Sequence, residues 1–189
     1  MIIGLSGYAG SGKDEVAKTL VEEYGFTRIA FADKIRELVY EMNPLVGFTA
    51  NEPSHLRHLV DNADWDTAKQ NHLVRKYLQD LGVGARKVFG EHFWVHEAMK
   101  TMLNDPRPDM NYVITDVRFL NEADMVKANH GQVWRVERPG VEAVNSHISE
   151  HALDYWEFDQ VINNGGSIEE LTDLVRNRIG LLLDAHQTI

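Results

Sequence analysis

The chain contains no cysteine, so disulfide cross-links and thiolate metal sites are both excluded, in agreement with a reducing compartment. Proline is scarce, five in 189 residues. No internal repeat, low-complexity tract or Gly/Ser-rich linker divides the chain. A chain of this length buries most of its apolar surface in one domain without such staples. No apolar run approaches the roughly 18 residues that a bilayer span needs. The stretch from Met1 to Lys13 starts apolar but has no basic segment before it and no cleavage-site pattern, so it reads as a buried strand rather than a signal peptide. Basic residues are outnumbered, 19 Lys and Arg against 29 Asp and Glu, for a formal charge of −10. Such a surface repels a nucleic-acid backbone, so no polymeric nucleic acid and no membrane are expected as partners. A small anion held by a local cluster of arginine and lysine remains open, and the expected location is the cytoplasm.

What is present has an α/β pattern: short, β-branched apolar runs alternate with longer stretches of helical period. The runs Ile2–Ser6, Arg28–Phe31, Tyr112–Thr115, Val133–Glu137 and Gln160–Ile162 are the strand candidates, short and mostly apolar as in a parallel sheet covered on both faces. Helices are expected over Lys13–Tyr24, Asp33–Glu41, Asp66–Leu81, Glu91–Leu103, Asn121–Asn129 and Ser167–Leu183. The last has a capping box from Ser167 and Glu170 and one apolar stripe through Ile168, Leu171, Leu174, Val175, Ile179 and Leu182. Two stretches look less regular, Asn43–Asp64 and Pro139–Glu150, and the second reads as a mobile loop. Insertions of this kind on an α/β core commonly carry substrate loops.

Residues 7–14 read Gly-Tyr-Ala-Gly-Ser-Gly-Lys-Asp, the G-x-x-x-x-G-K pattern set between an apolar strand and a helical period. The glycines Gly7, Gly10 and Gly12 let the backbone turn its N–H groups toward phosphate oxygens, Ser11 included, and the new helix adds its positive end. Lys13 is placed to reach the β- and γ-phosphates of a nucleotide. Asp14 stands where a hydroxyl usually ligates Mg²⁺; a carboxylate ligates the ion directly or holds a bound water. Glu15 follows, near where an α-phosphate would lie. A second acidic position closes the strand Tyr112-Val-Ile-Thr-Asp116, the arrangement that sets a carboxylate beside a phosphate loop to support Mg²⁺. Arg118, two residues on, belongs at the carboxyl edge of the sheet, where ligands collect in open α/β folds. It serves there either an acceptor phosphate or an ion pair with Asp116 or Glu122.

Several stretches in shared order resemble the phage and bacterial deoxynucleoside monophosphate kinases, a branch of the P-loop nucleoside monophosphate kinases. They are the loop ending at Asp14, Phe31-Ala-Asp-Lys34 with Asn43-Pro44, Arg75-Lys-Tyr-Leu-Gln79-Asp-Leu-Gly82, Arg86 with Phe89 to Trp94, and Asp116-Val-Arg118-Phe-Leu-Asn121-Glu122. Arg135-Val-Glu-Arg138-Pro139-Gly140, His147-Ile-Ser149-Glu150 and Asp159-Gln-Val-Ile-Asn163-Asn complete the set. Glu15 departs from the family pattern, which usually has Thr there.

The resemblance implies a three-layer P-loop fold with a mostly parallel sheet: a core over 1–32 and 91–189, a helical acceptor-binding insertion over about 33–90, and a short lid over about 138–151. It implies ATP and Mg²⁺ as cofactors and a deoxynucleoside monophosphate as the acceptor. Acceptor contacts would come from Asp33, Lys34, Arg75, Gln79, Arg86 and Glu150. Arg135 and Arg138 would act as lid cations, and Arg138 would join Lys13 and Arg118 at the transferring phosphoryl group. Asp14 and Asp116 would support the metal. The rival readings are another small-molecule P-loop kinase, such as one acting on dephospho-coenzyme A, and a nucleotide-binding switch without transfer activity. The oligomeric state, a homodimer included, is left open, and for a phage protein the location would be the host cytoplasm.

Overall fold

Short β-branched runs cannot bury themselves alone, and here they assemble side by side into one sheet. The computed structural model describes residues 1–49, 51–107, 110–143 and 148–186. In chain order the elements are β1 (Ile2–Ser6), α1 (Lys13–Tyr24), β2 (Thr27–Ile29), α2 (Phe31–Met42), β3 (Leu45–Thr49), β4 (Glu52–His55), α3 (Leu56–Asn62), α4 (Trp65–Ala68), α5 (His72–Phe89), α6 (Phe93–Leu103), β5 (Tyr112–Ile114), α7 (Leu120–Ala128), β6 (Gln132–Glu137), α8 (Ile148–His151), β7 (Gln160–Asn163) and α9 (Ile168–His186). They fall into two compact units, Met1–Ala30 with Met99–Ile189, and Phe31–Ala98.

The first unit is built on a five-stranded sheet in the order β2-β5-β1-β6-β7. Each pairing is parallel. β1 lies at the centre, with Ile3 opposite Val113 on one side and Gln132 on the other. On one face, Val16, Ala17 and Leu20 of α1 and Leu171, Val175 and Ile179 of α9 pack with Leu5, Trp134 and Ile162 in a cluster of buried side chains. On the other face α7 approaches closely: a side chain on Gly4 would begin 3.1 Å from Val126. Helix, sheet and helix make the three expected layers, with the mostly parallel sheet that sequence pattern implies. In such a sheet the carboxyl ends of the strands, on either side of the point where the strand order reverses, are where a ligand is received.

The first strand and the first helix lie where the sequence places them. β2 does not: expected over Arg28–Phe31, it ends at Ile29, and Phe31 opens α2. Its partner β5 ends level with it, Ile29 opposite Ile114, and the last bond of the ladder runs from the Thr115 N–H to the Ile29 carbonyl (3.0 Å). Beyond that point no ladder continues to hold an extended chain.

The second unit has its own core of Val39, Val46, Leu56, Ala68 and Val74, flanked by Ile35, Leu59, Trp65, Tyr77 and Leu81. The stretch Asn43–Asp64, expected to be irregular, contains the antiparallel β3–β4 hairpin and then α3. Asn43 anchors it, accepting from the Arg57 N–H through Oδ1 (2.9 Å). The expected single helix over Asp66–Leu81 is two helices, because two side chains cap the backbone locally. Asp64 accepts from the Thr67 N–H (2.6 Å) to start α4, and Asn71 accepts from the Leu73 N–H (2.9 Å) to start α5. α5 then runs past the expected end to Phe89. Trp94 is buried, donating from Nε1 to the Gly82 carbonyl (2.9 Å). Within Pro139–Glu150, read as a loop, α8 begins at Ile148.

Candidate active site

The phosphate loop follows β1 at the carboxyl edge of the sheet, and its shape requires glycine at two points. Gly7 has φ 132°, and a Cβ there would lie 2.2 Å from the Val136 carbonyl oxygen. Gly12 has φ 106°, and a Cβ would lie 2.4 Å from Asn164 Nδ2. Both the positive φ and the close approach exclude a side chain. Gly10 also has positive φ, and Ser11 is buried with its carbonyl accepting from Asn164 Nδ2 (2.8 Å). No side chain caps α1, so its N-terminal dipole faces the loop, a ready anion site.

Lys13 folds over this loop, donating from Nζ to the carbonyls of Gly7 (2.7 Å) and Tyr8 (2.8 Å). Burial lowers its pKa to about 8, helped by the positive charge of Arg118; Asp14, Glu150 and Asp116 act in the opposite direction. The same electrostatic neighbourhood therefore contains Lys13, Asp14, Asp116, Arg118 and Glu150, drawn from the phosphate loop, the turn after β5 and α8; β5 itself, expected over Tyr112–Thr115, ends at Ile114. Glu15, the departure from the family pattern, directs its carboxylate along α1 to Lys18 (3.6 Å).

Arg118 is fixed at its backbone. The buried Glu122 accepts from the N–H groups of Arg118 (2.8 Å) and Phe119 (3.1 Å) through one carboxylate oxygen, which also closes the N-terminus of α7. Its guanidinium donates from Nη1 to Glu150 Oε1 at 2.6 Å. Of the two partners the sequence offers for an ion pair, Glu122 accepts from the backbone, and the Arg118 side chain pairs with Glu150, which is neither of the two. A small cleft is lined by Ser6, Gly7, Tyr8, Val117, Arg118, Arg135, Ser149, Glu150 and Leu153.

Arg135 differs from the lid cation implied by the family resemblance. It extends from β6, opposite Ser6, with its guanidinium carbon 5.3 Å from the ring centroids of both Tyr8 and Phe158. Nε donates to Glu137 (2.9 Å). Tyr8 in turn donates to Asp154 (3.3 Å), which also pairs with His151 (2.9 Å). A guanidinium held between two aromatic faces braces the first turn of the phosphate loop. Arg138 is exposed in the turn after β6 and is not among the residues lining the cleft. His147, and residues 144–147 of the expected lid, lie outside the described residues.

In the second unit, Asp33 pairs with Arg36 (3.2 Å) and Lys34 with Glu37 (2.6 Å), both within α2. Arg75, Gln79 and Arg86 share one stripe of α5, within about 40° of one another at 3.6 residues per turn. Arg75 and Gln79 are exposed, and Arg86 donates to the Glu91 carbonyl (3.1 Å). Neither the stacking of Arg135 nor the clasp by Asn164 is visible in the sequence. Both join residues more than a hundred positions apart, and only the sheet order brings them together.

The described residues contain no cluster of three or more side chains able to enclose a metal ion, and no helix among them is long and apolar enough to cross a membrane. The family model described as deoxynucleotide monophosphate kinase matches residues 45–175. A protein of Acanthamoeba polyphaga mimivirus, provisionally given that same name, is 32% identical over 181 residues, covering 90% of this chain and 91% of its own. The deoxynucleotide monophosphate kinase of Escherichia phage RB69 is 34% identical over 100 residues, covering 52% of this chain and 41% of its own. Among solved structures, TT1252 from Thermus thermophilus superposes with a TM-score of 0.51 at 20% identity, covering 96% of this chain and 97% of its own, a likeness of fold. The turn after β5 that carries Asp116 lies within the family match and the phosphate loop lies before it; with that match and a relative aligned over 90% of its length, the chain belongs to the deoxynucleotide monophosphate kinase family.

Proposed function

We propose that this chain transfers the γ-phosphate of ATP to a deoxynucleoside monophosphate, giving ADP and the deoxynucleoside diphosphate. The observation that carries it is the phosphate loop with Lys13 folded over it and with Arg118 and Glu150 paired on the cleft beside it, in a chain of this family. ATP would lie with its phosphates along Gly7, Gly10, Ser11, Gly12, Lys13 and Asp14. An oxygen of the acceptor phosphate attacks the γ-phosphorus in line while the bond to the β–γ bridging oxygen breaks, and ADP leaves with that electron pair. Lys13, Arg118 and Arg138 would offset the charge on the moving group. Positioning and electrostatics carry most of this reaction, so no general-base histidine is needed.

The carboxylates suit Mg²⁺, which takes one or two from a protein and completes its shell with water and substrate phosphates. Asp14 and Asp116 would hold it. When bound, the ion would supply positive charge to offset the charge on the transferring phosphoryl group. Acceptor contacts are proposed for Asp33, Lys34, Arg75, Gln79, Arg86 and Glu150: the arginines suit forked phosphate recognition, and Gln79 offers both a donor and an acceptor to a base edge.

The test is release of ADP from ATP·Mg²⁺ in a coupled assay against dAMP, dGMP, dCMP, dTMP, 5-substituted pyrimidine monophosphates, AMP and dephospho-coenzyme A, with Lys13→Ala as the blank. Turnover with one or more deoxynucleotides well above the blank is expected. Stimulation by dephospho-coenzyme A alone would transfer the assignment to that acceptor, and no stimulation at all would leave a nucleotide-binding switch.

A further inference from the structure

The arginine best placed to receive an acceptor phosphate is already engaged. Arg118 Nη1 donates to Glu150 at 2.6 Å, with the Glu150 side chain only 10% exposed and that of Arg118 39% exposed. The arginine backbone is immobilised by Glu122, so an exchange of partner would move only the side chain. Glu150 comes from α8, while Arg118 follows β5, and both line the cleft that begins at Ser6 of β1 and Gly7 of the phosphate loop. The carboxylate carries negative charge and presents an oxygen to the guanidinium, as a phosphate does.

We propose that Glu150 is a specificity-determining residue that holds Arg118 as a stand-in for the acceptor phosphate, so that only an acceptor bringing its own phosphate group takes the arginine over. This rests on the proposed reaction, with Arg118, which would offset charge on the moving group, also meeting the acceptor phosphate that attacks it. A phosphate monoester carries about −1.5 to −2 charges at neutral pH and three acceptor oxygens, against one charge and two oxygens for the carboxylate. Exchange therefore favours the phosphate. A neutral nucleoside or a water molecule offers nothing to offset the broken pair, and Arg118 stays with Glu150. The cost of this discrimination is weaker binding of the true acceptor, because it must displace a half-buried carboxylate and then lie beside it.

That cost gives the test its sign. Glu150→Gln keeps the shape and one accepting oxygen but removes the charge. Inorganic phosphate, titrated calorimetrically into the protein without nucleotide, is expected to bind this variant roughly three- to tenfold more tightly than wild type. In the Arg118→Ala background the same substitution is expected to change nothing. In turnover, the KM for the acceptor falls and ATP hydrolysis without acceptor rises. A merely structural Glu150 predicts the reverse, a raised KM with a lowered melting temperature. Phosphate binding that is unchanged or weaker in a folded Glu150→Gln protein would overturn the proposal. Glu150→Asp, which shortens the reach to Arg118, gives the same readout should the amide not fold. If wild type turns over no deoxynucleotide, the kinase reading fails by itself, and the phosphate titration still decides whether Glu150 competes for Arg118.

Discussion

Lys13 is held in a balance of opposed influences, with burial and Arg118 against its proton and three carboxylates for it. A pKa of about 8 in the free protein has a direct consequence for ligand binding, because nucleotide phosphates favour the charged amine and raise that value on binding. Affinity for ATP in the absence of divalent cations should be level below pH 8. It should then fall by up to roughly tenfold per pH unit as the free lysine loses its proton. Titration of a fluorescent ATP analogue in chelator between pH 7 and 9.5 checks this, and a flat profile would show that Lys13 stays charged throughout. Folding stability moves the other way: a lysine pKa lowered by folding opposes the fold below about pH 8, and this opposition lifts as pH rises toward the unfolded value. At this scale the sequence identifies the cation, since Gly-Lys at the end of a glycine loop is a local pattern. The partners that tune it, Arg118 and Glu150, lie over a hundred residues away and are visible only once the sheet is assembled.

Among the elements, the loop between β7 and α9 does more than connect. Asn164 is 8% exposed and donates to the Ser11 carbonyl inside the phosphate loop, while its amide fills the space that a side chain on Gly12 would need. Asn164→Ala removes the donor and leaves a carbonyl unsatisfied beside a cavity, an expected loss of about 1–3 kcal/mol. Urea unfolding should show that loss, together with a higher KM for ATP and an acceptor KM little changed. Element types were legible wherever one periodicity persisted, as in α1 and in the stripe of α9 through Leu171, Val175 and Ile179. The β3–β4 hairpin was not. Val46 and Ser54 are its buried residues, and Gly47 and Pro53 interrupt any strand-like alternation. The break between α4 and α5 was equally hidden, because it depends on Asn71 turning its side chain to the backbone, a choice that competes closely with continuing the helix.

At the scale of the whole molecule, the two units carry unequal cores. The cluster under the sheet includes Ile3, Leu5, Leu20, Val113, Trp134, Ile162 and Ile179; that of the Phe31–Ala98 unit is built on Val39, Val46, Leu56, Ala68 and Val74. Burial sets resistance to local opening. Hydrogen exchange followed by mass spectrometry should therefore show peptides from α2 and α5 exchanging sooner than those from β1, β5 and β6. Equal protection would mean that the units open as one. The α/β class and the parallel sheet followed from the alternation of short apolar runs with helical periods. No linker composition marks the division at Phe31 and Ala98; an insertion, over about 33–90, was implied by the family resemblance alone.

The clasp between Asn164 and Ser11 also sets a timetable. A ribosome delivers the clasp 153 residues after the phosphate loop, an interval of about 8–30 s at ordinary rates of elongation. During that interval β1 waits for β5 and β6, whose pairing residues lie more than a hundred positions downstream, and the edges it will share with them stay open. Until Asn164 arrives, the loop lacks the donor that holds its Ser11 carbonyl, and a bound nucleotide, which stabilises only the form it binds, is expected to be retained only after that point.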